Sequence, residues 1–462
     1  MLEEHGLTDT ICEHLAGLTF DDLPQASVTA AKHVLLDAVG VMLGASGPVK
    51  EIRPFIALAR SMGDGSSQIL GTPYRVPASA AALANGSMMH ALDFEDTYDI
   101  VPGHPNASLV PALLALVQAR NPINGRCFLT ALVAGCDLAC RMGLALDRRM
   151  EEGGWYPPPV LAGFGAAAGA AMLLGLDPVR IRDCLSLALC QVTMPGEIKH
   201  STGTVIRAVR EAFPAQAAVQ SALLAEEGIT GFETPLEGRS GFYALYAGGM
   251  FDRDRLLEGL GRSFAIEQLT FKLWPSCRGT HPFIEAALEL GARGIGAEQI
   301  DSLHFIIGGP DQYMLVEPVE RKKAPQVVID AKFSIPFCTA LALVHGRVTL
   351  QDFSNESLAE ERILGLSRNT TFEFAPRPHW KASVGGAILA RLRDSSEIEI
   401  EVPEAMGSPS RPLSEEALRL KFYDCVRYGA AHVSPEAAAR LADGILELEN
   451  VEDAGSLFGL VA

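Results

Sequence analysis

The sequence predicts a mainly α protein: a large multi-helix domain with a smaller α+β domain inserted. Three observations carry this. Apolar residues recur at spacings of three and four through most of the first 230 residues, the helical period. Alanine and glycine are abundant while aromatics make up only 7% of the chain, a composition suited to closely packed helices. After about residue 262 the pattern switches to short β-rich runs alternating with helices, and helix signals resume near residue 412. A chain of 462 residues is also too long for one ordinary core.

The elements follow in order. Ser27 is placed to cap a helix through Leu43, in which Val28, Ala31, Val34, Leu35, Ala38, Val39 and Met42 share a face. Further helices are predicted over 51–61, 78–90, 108–119, 128–146, 160–174, 178–192 and 214–227, punctuated by glycine and proline. Strands are predicted over 303–307, 370–374 and 398–402, with helices at 282–291 and 334–345 between them. Ser414 then caps a helix carrying Leu418, Phe422 and Cys425, and 434–449 forms another. The predicted domains are therefore 1–262 plus 405–462, helical, and 263–404, α+β.

Composition narrows the function. Apolar residues are 48% and charged residues 20% of the chain, a globular balance. The formal charge of −18 argues against a nucleic-acid partner, since phosphate contacts need clustered Lys and Arg. An anionic substrate would need a pocket that reverses this sign locally. The nine cysteines form no Cys-x-x-Cys pair and sit mostly in apolar runs, as buried reduced thiols do. Glu3, Glu4 and His5 stand where a leader would be basic, so a cytoplasmic location is expected. The uncharged run Val160–Leu176 falls short of the ~20 residues of a membrane span, so no membrane association is expected.

The densest chemistry lies in His90-Ala-Leu-Asp93-Phe-Glu95-Asp96-Thr97, followed by Gly103-His104-Pro105-Asn106. On a helical turn Asp93, Asp96 and Thr97 project from one face, fit for a base, its orienting partner and a hydroxyl donor. The bland alternative is a solvated acidic helix end, which the helix dipole disfavours. His90, Asp93 and His104 are metal-ligand types, but their spacing matches no metal signature. Gly163-Phe-Gly165-Ala-Ala-Ala-Gly169 follows prolines rather than a strand, so its glycines point to close helix packing, not to a dinucleotide loop. Lys272, Cys277, Arg278 and His281 lie just ahead of a helix, a natural place to hold a carboxylate. Arg207 and Arg210 precede the helix at 214 and suit the same purpose.

In this order these motifs resemble the MmgE/PrpD family, which includes 2-methylcitrate dehydratase, cis-aconitate decarboxylase and iminodisuccinate epimerase. The resemblance also runs through Leu36-Asp37-Ala38-Val39-Gly40, Leu173-Leu174-Gly175-Leu176-Asp177, Asp330-Ala331-Lys332-Phe333-Ser334-Ile335-Pro336 and Gly407-Ser408-Pro409. It implies a helical domain built from both chain ends, an α+β lid domain, a cleft between them and a homodimer. It implies no metal and no organic cofactor. Asp93, Thr97 and His104 match family active-site positions, Lys272 matches a family lysine, and Tyr313 falls near a family tyrosine.

Three positions depart from the family pattern. Tyr156 stands where a histidine follows the Gly-Trp pair, Arg210 where a lysine precedes Ala217-Ala218, and Cys277 where the decarboxylases carry histidine. Arginine does not give up its proton near neutral pH but can clamp a carboxylate in a bidentate pair. The resemblance thus implies an enzyme removing a proton α to a carboxylate of a small di- or tricarboxylate. Elimination of water is the first expectation. Epimerisation, decarboxylation and ligand binding without catalysis are the alternatives. The expected catalytic residues are Asp93, His104, Thr97 and Tyr156. Arg210, Lys272, Arg278, Cys277, His281 and Tyr313 are expected to bind substrate.

Overall fold

The computed structural model describes residues 6–101, 103–120, 122–201 and 204–461. The fold is mainly helical, and the chain gathers into two compact units. One comprises Met1–Ala91, Glu95–Leu269 and Ser414–Ala462, and the other Leu92–Phe94 with Thr270–Leu413.

The first unit is built from helices, the longest being Gln25–Ser46 and Gly125–Leu144. Both are long and apolar enough to cross a membrane, yet 78% and 89% of their apolar windows are buried inside the fold, as in core helices. Ser27 does not cap the first of them. The N-cap is Pro24, and the Ser27 hydroxyl donates instead to Glu267 Oε1 at 2.5 Å. Gly125–Leu144 and Pro157–Leu173 approach so closely that a Cβ on Gly165 would stand 2.4 Å from the Gly135 carbonyl oxygen. The 163–169 glycines therefore lie inside a helix and serve backbone contact. The C-terminal helix Glu415–Tyr428, capped by Ser414 as expected, packs on Gln25–Ser46, where Phe422 and Cys425 meet Gly40 and Gly44. Lys421 and Asp37 form an ion pair of 2.6 Å beneath that contact.

The second unit holds a four-stranded sheet in the order Thr370–Phe374, Ile300–Ile307, Gly386–Leu392, Glu397–Val402, parallel in its first pair and antiparallel in the others. Gly386–Leu392 was not among the predicted strands. Its glycine and alanines lack β-branching, and the pairing rather than the propensity makes it a strand. Helix His281–Ala292 packs on this sheet, with the Phe283 and Phe305 rings 5.5 Å apart and edge-on. All nine cysteines are free thiols, six of them buried.

Candidate active site

In the first unit the site begins where a helix stops. Ala78–Met89 is a run of small residues buried almost throughout, and His90 caps its C-terminus. The chain beyond is not helical, so Asp93, Asp96 and Thr97 do not share a helix face. Asp93 takes a left-handed conformation, φ 49°, and belongs to the second unit, while Asp96 and Thr97 belong to the first. Nor is the segment a solvated acidic end: His90, Asp93, Glu95, Asp96 and Thr97 are all buried.

Burying such groups is costly unless each is paired, and the first unit pairs them in one network. Glu95 Oε1 meets His90 Nδ1 in a short contact and lies 3.0 Å from His104 Nδ1. His104 Nδ1 is also 3.0 Å from the Asp96 carbonyl oxygen. His90 Nε2 faces Arg210 Nη1 at 2.5 Å. Arg210, fully buried, donates to Glu211 at 3.0 Å and to the Arg207 carbonyl at 3.1 Å. The Ser108 hydroxyl donates to the other Glu211 oxygen at 2.6 Å. The two imidazole rings are 4.8 Å apart.

Thr97 and Asp96 set the geometry around His104. The Thr97 hydroxyl and the Tyr98 amide both donate to the Gly103 carbonyl, at 3.0 and 2.9 Å, closing a tight loop immediately before His104. Asn106 donates to Asp96 Oδ2 at 2.8 Å. Burial pushes the Asp96 carboxyl up to about 7, with the nearby Asp37 and Glu95 carboxylates adding to the rise. Burial raises Glu211 too, against the pull of Arg210 and Ser108. Beside His104 lies a cavity of about 20 Å³, lined also by Tyr98, Val101, Cys140 and Leu161, with room for one water.

The raised Asp96 makes a prediction with a definite sign. The folded state holds its proton more tightly than the unfolded chain, so its contribution to stability is complete below about 3.8 and is lost as pH rises to about 7. Asp96→Asn mimics the protonated acid and cannot titrate. The stability of the parent protein relative to this variant is expected to fall between pH 4 and 7 and then level off. Thermal midpoints of both proteins across that range check it. Parallel curves would show that Asp96 does not hold a proton in the fold.

Tyr156 enters the same neighbourhood. Gly154 turns the chain in the left-handed region, φ 81°, Trp155 bridges to Pro195, and the Tyr156 amide donates to the Met194 carbonyl at 2.8 Å. The first helical turn, Pro157-Pro158-Pro159, starts at once, so Tyr156 is fixed as its N-cap. Its ring is surrounded by cations: Arg210 at 5.1 Å, Lys199 at 5.2 Å and Arg207 at 6.0 Å from the centroid. The first unit thus brings together Thr97, His104, Tyr156 and Arg210 among the predicted residues. It includes Arg207, offered beside Arg210 by the sequence, and adds His90, Glu95, Glu211 and Lys199.

The second unit holds Leu92 and Asp93 with two buried lysines, one on each residue. Lys272 Nζ lies 2.5 Å from Asp93 Oδ1 and 3.0 Å from its carbonyl oxygen, and Lys332 Nζ lies 2.5 Å from the Leu92 carbonyl. These contacts hold Asp93 in its uncommon backbone conformation. The Lys332 carbonyl in turn accepts from the Cys277 amide at 3.0 Å. Arg278 donates to the Ala405 and Met406 carbonyls, each at 2.8 Å, so the segment before Gly407-Ser408-Pro409 anchors it. His281 is buried, and burial together with Arg278 and Lys272 holds its imidazole well below the usual range, hence neutral. Cys277 is half-buried. Tyr313 is 41% exposed, with its ring against Phe372 and Phe374 of the edge strand.

Sequence reading missed Glu95, Glu211 and Lys332 as site residues. The signal for Glu95 was present, because a carboxylate between two histidines is a pairing partner for both. Glu211 and Lys332 are distant in sequence from what they bind, and only the folded chain shows the contacts.

A mainly helical fold with an enclosed acid–base network, and a second unit around a small mixed sheet, defines the class of protein. The chain belongs to the MmgE/PrpD family: its N-terminal domain matches residues 9–253 and its C-terminal domain residues 274–448. The cis-aconitate decarboxylase-like protein oryM of Aspergillus oryzae is 25% identical over 99% of this chain and 98% of its own. The cis-aconitate decarboxylase of Mus musculus is 24% identical, covering 98% and 93%. The 2-methylcitrate dehydratase of Salmonella typhimurium is 23% identical, covering 84% and 83%. The decarboxylase and the dehydratase among these relatives are lyases.

Proposed function

We propose that this protein is a cofactor-free lyase that removes a proton α to a carboxylate of a small di- or tricarboxylate and eliminates water, as a 2-methylcitrate dehydratase does. One observation supports this most: the His104 imidazole, backed by the Glu95 carboxylate, stands in the same network as an arginine and a tyrosine ringed by cations. Proton abstraction leaves an electron pair that spreads onto the carboxylate. Without a metal, that charge must be met by fixed cations and hydrogen-bond donors. In this reading His104 Nε2 takes the carbon-bound proton, the carbon–oxygen bond to the hydroxyl breaks, and the Tyr156 phenol gives its proton to the departing oxygen. Arg210 contributes charge from inside the network. Arg207 and Lys199 are the cations proposed to meet substrate carboxylates. Asp93, held by Lys272, is the second proposed acid–base group. The homodimeric state and cytoplasmic location that the resemblance implies belong to the same proposal.

An epimerase is the second reading, and Tyr156 favours it. Reprotonation from the opposite face needs a second proton carrier, and the Tyr156 phenol, its ring among three cations, is the group proposed for it. The decisive experiment incubates 2-methylcitrate, citrate, cis-aconitate and iminodisuccinate with the protein in heavy water and follows each by NMR. An alkene product is expected, unchanged after exhaustive chelation. Deuterium uptake with inversion would select the epimerase, and carbon dioxide release the decarboxylase. Absence of exchange with every compound would end the enzymatic reading, and activity restored only by a divalent ion would end the cofactor-free one.

A further inference from the structure

We propose that Glu95 is the positioning residue of His104: it fixes the imidazole as the Nδ1–H tautomer, leaves Nε2 as the reacting atom, and balances the charge once Nε2 is protonated. The inference rests on the reading that His104 is the acid–base group.

Hydrogen-bond polarity fixes both tautomers. A guanidinium only donates. His90 Nε2, 2.5 Å from Arg210 Nη1, must therefore accept, so His90 is neutral and carries its hydrogen on Nδ1. That hydrogen points to Glu95 Oε1, which makes Glu95 an acceptor. His104 Nδ1 faces two acceptors at 3.0 Å, this same Oε1 and the Asp96 carbonyl oxygen, so Nδ1 carries the hydrogen there as well. Nε2 remains for chemistry. The His104 side chain is 13% exposed while that of Glu95 is wholly enclosed, so the histidine alone of the pair reaches outward.

Arg210 thus acts two residues away: it sets the tautomer of His90, His90 sets the role of Glu95, and Glu95 sets His104. When Nε2 takes a proton from carbon, the electron pair stays on the substrate and the imidazolium forms against Glu95. Glu95 keeps its negative charge and takes no proton itself, as in other carboxylate–histidine pairs. Within the first unit the other ionisable groups around His104 are His90 and Asp96, with Glu211 further in, where it is paired with Arg210; the Asp93 carboxylate, of the second unit, is paired with Lys272. Burial shifts Asp96 toward its neutral form, and Glu95 is the carboxylate whose oxygen meets the His104 ring, 3.0 Å from Nδ1.

The test uses ¹⁵N-histidine-labelled full-length protein. Long-range ¹H–¹⁵N spectra read the tautomer of each imidazole, and the His104→Ala spectrum assigns the His104 signals. The unmodified protein is expected to show His104 with hydrogen on Nδ1. In Glu95→Gln the imidazolium formed at His104 loses the carboxylate that balances its charge. The acidic limb of the kcat profile should move to lower pH and kcat should drop about 10²–10⁴-fold at nearly constant KM. Glu95→Asp should recover part of both. An Nε2–H tautomer in the unmodified protein overturns the inference whether or not the variants fold. An unchanged kcat and an unchanged kcat profile in Glu95→Gln also overturn it. If His104→Ala is fully active the parent reading fails. If His104→Ala is inactive and Glu95→Gln behaves like the unmodified protein, only the present inference fails.

Discussion

Replacing His104 by alanine is expected to lower kcat by about 10²–10⁴-fold, the usual cost of removing a general acid or base. The fold should survive. His104 is the partly exposed member of its network, and Thr97 and Tyr98 hold the preceding loop through the Gly103 carbonyl without it. Turnover on whichever substrate the heavy-water panel identifies, together with a thermal midpoint, checks both parts. Near-normal turnover would mean that the buried cluster is a structural pairing of charges and that proton transfer uses other groups.

Arg210 should show the opposite profile, with stability lost before any rate is read. It is fully buried and binds Glu211, His90 and the Arg207 carbonyl. Arg210→Met is close in length but removes the charge, leaving Glu211 and Glu95 with less to balance them. Breaking a buried ion pair from one side costs about 3–5 kcal/mol, much more than an exposed pair is worth. Burial already raises Glu211, so part of the loss will be relieved by its protonation. The variant should accordingly be more stable at pH 5 than at pH 8. The double variant Arg210→Met/Glu211→Gln should recover part of the loss at both values, because the glutamine can still accept from Ser108. Denaturant unfolding of the two variants at both pH values measures this. A loss under about 1 kcal/mol, on the scale of an exposed ion pair, would show that water reaches the network.

Much of this protein was legible in the sequence. The 3–4 spacing of apolar residues located the main helices, because burial on one helical face imposes that period. Ser414 announced a C-terminal helix, since its hydroxyl satisfies an amide at the helix start. The concentration of acids and histidines between His90 and His104 marked the candidate site, and the motif order placed the chain in its family. A sequence specifies such things alone because they rest on neighbours within a few residues.

Other features were decided by the tertiary structure. The helix that could have run through Asp93 stops at Met89, because His90 turns aside to meet Glu95 and Arg210, the latter 120 residues away. Ser27 gives up its cap for Glu267. Gly386–Leu392 becomes a strand only because partners lie on both sides of it. Asp93 has its ion-pair partner 179 residues further along the chain. In each case a polar group or a backbone edge must find a partner once water is removed. Local sequence poses that requirement, and only the folded chain, which brings distant residues within hydrogen-bond reach, meets it.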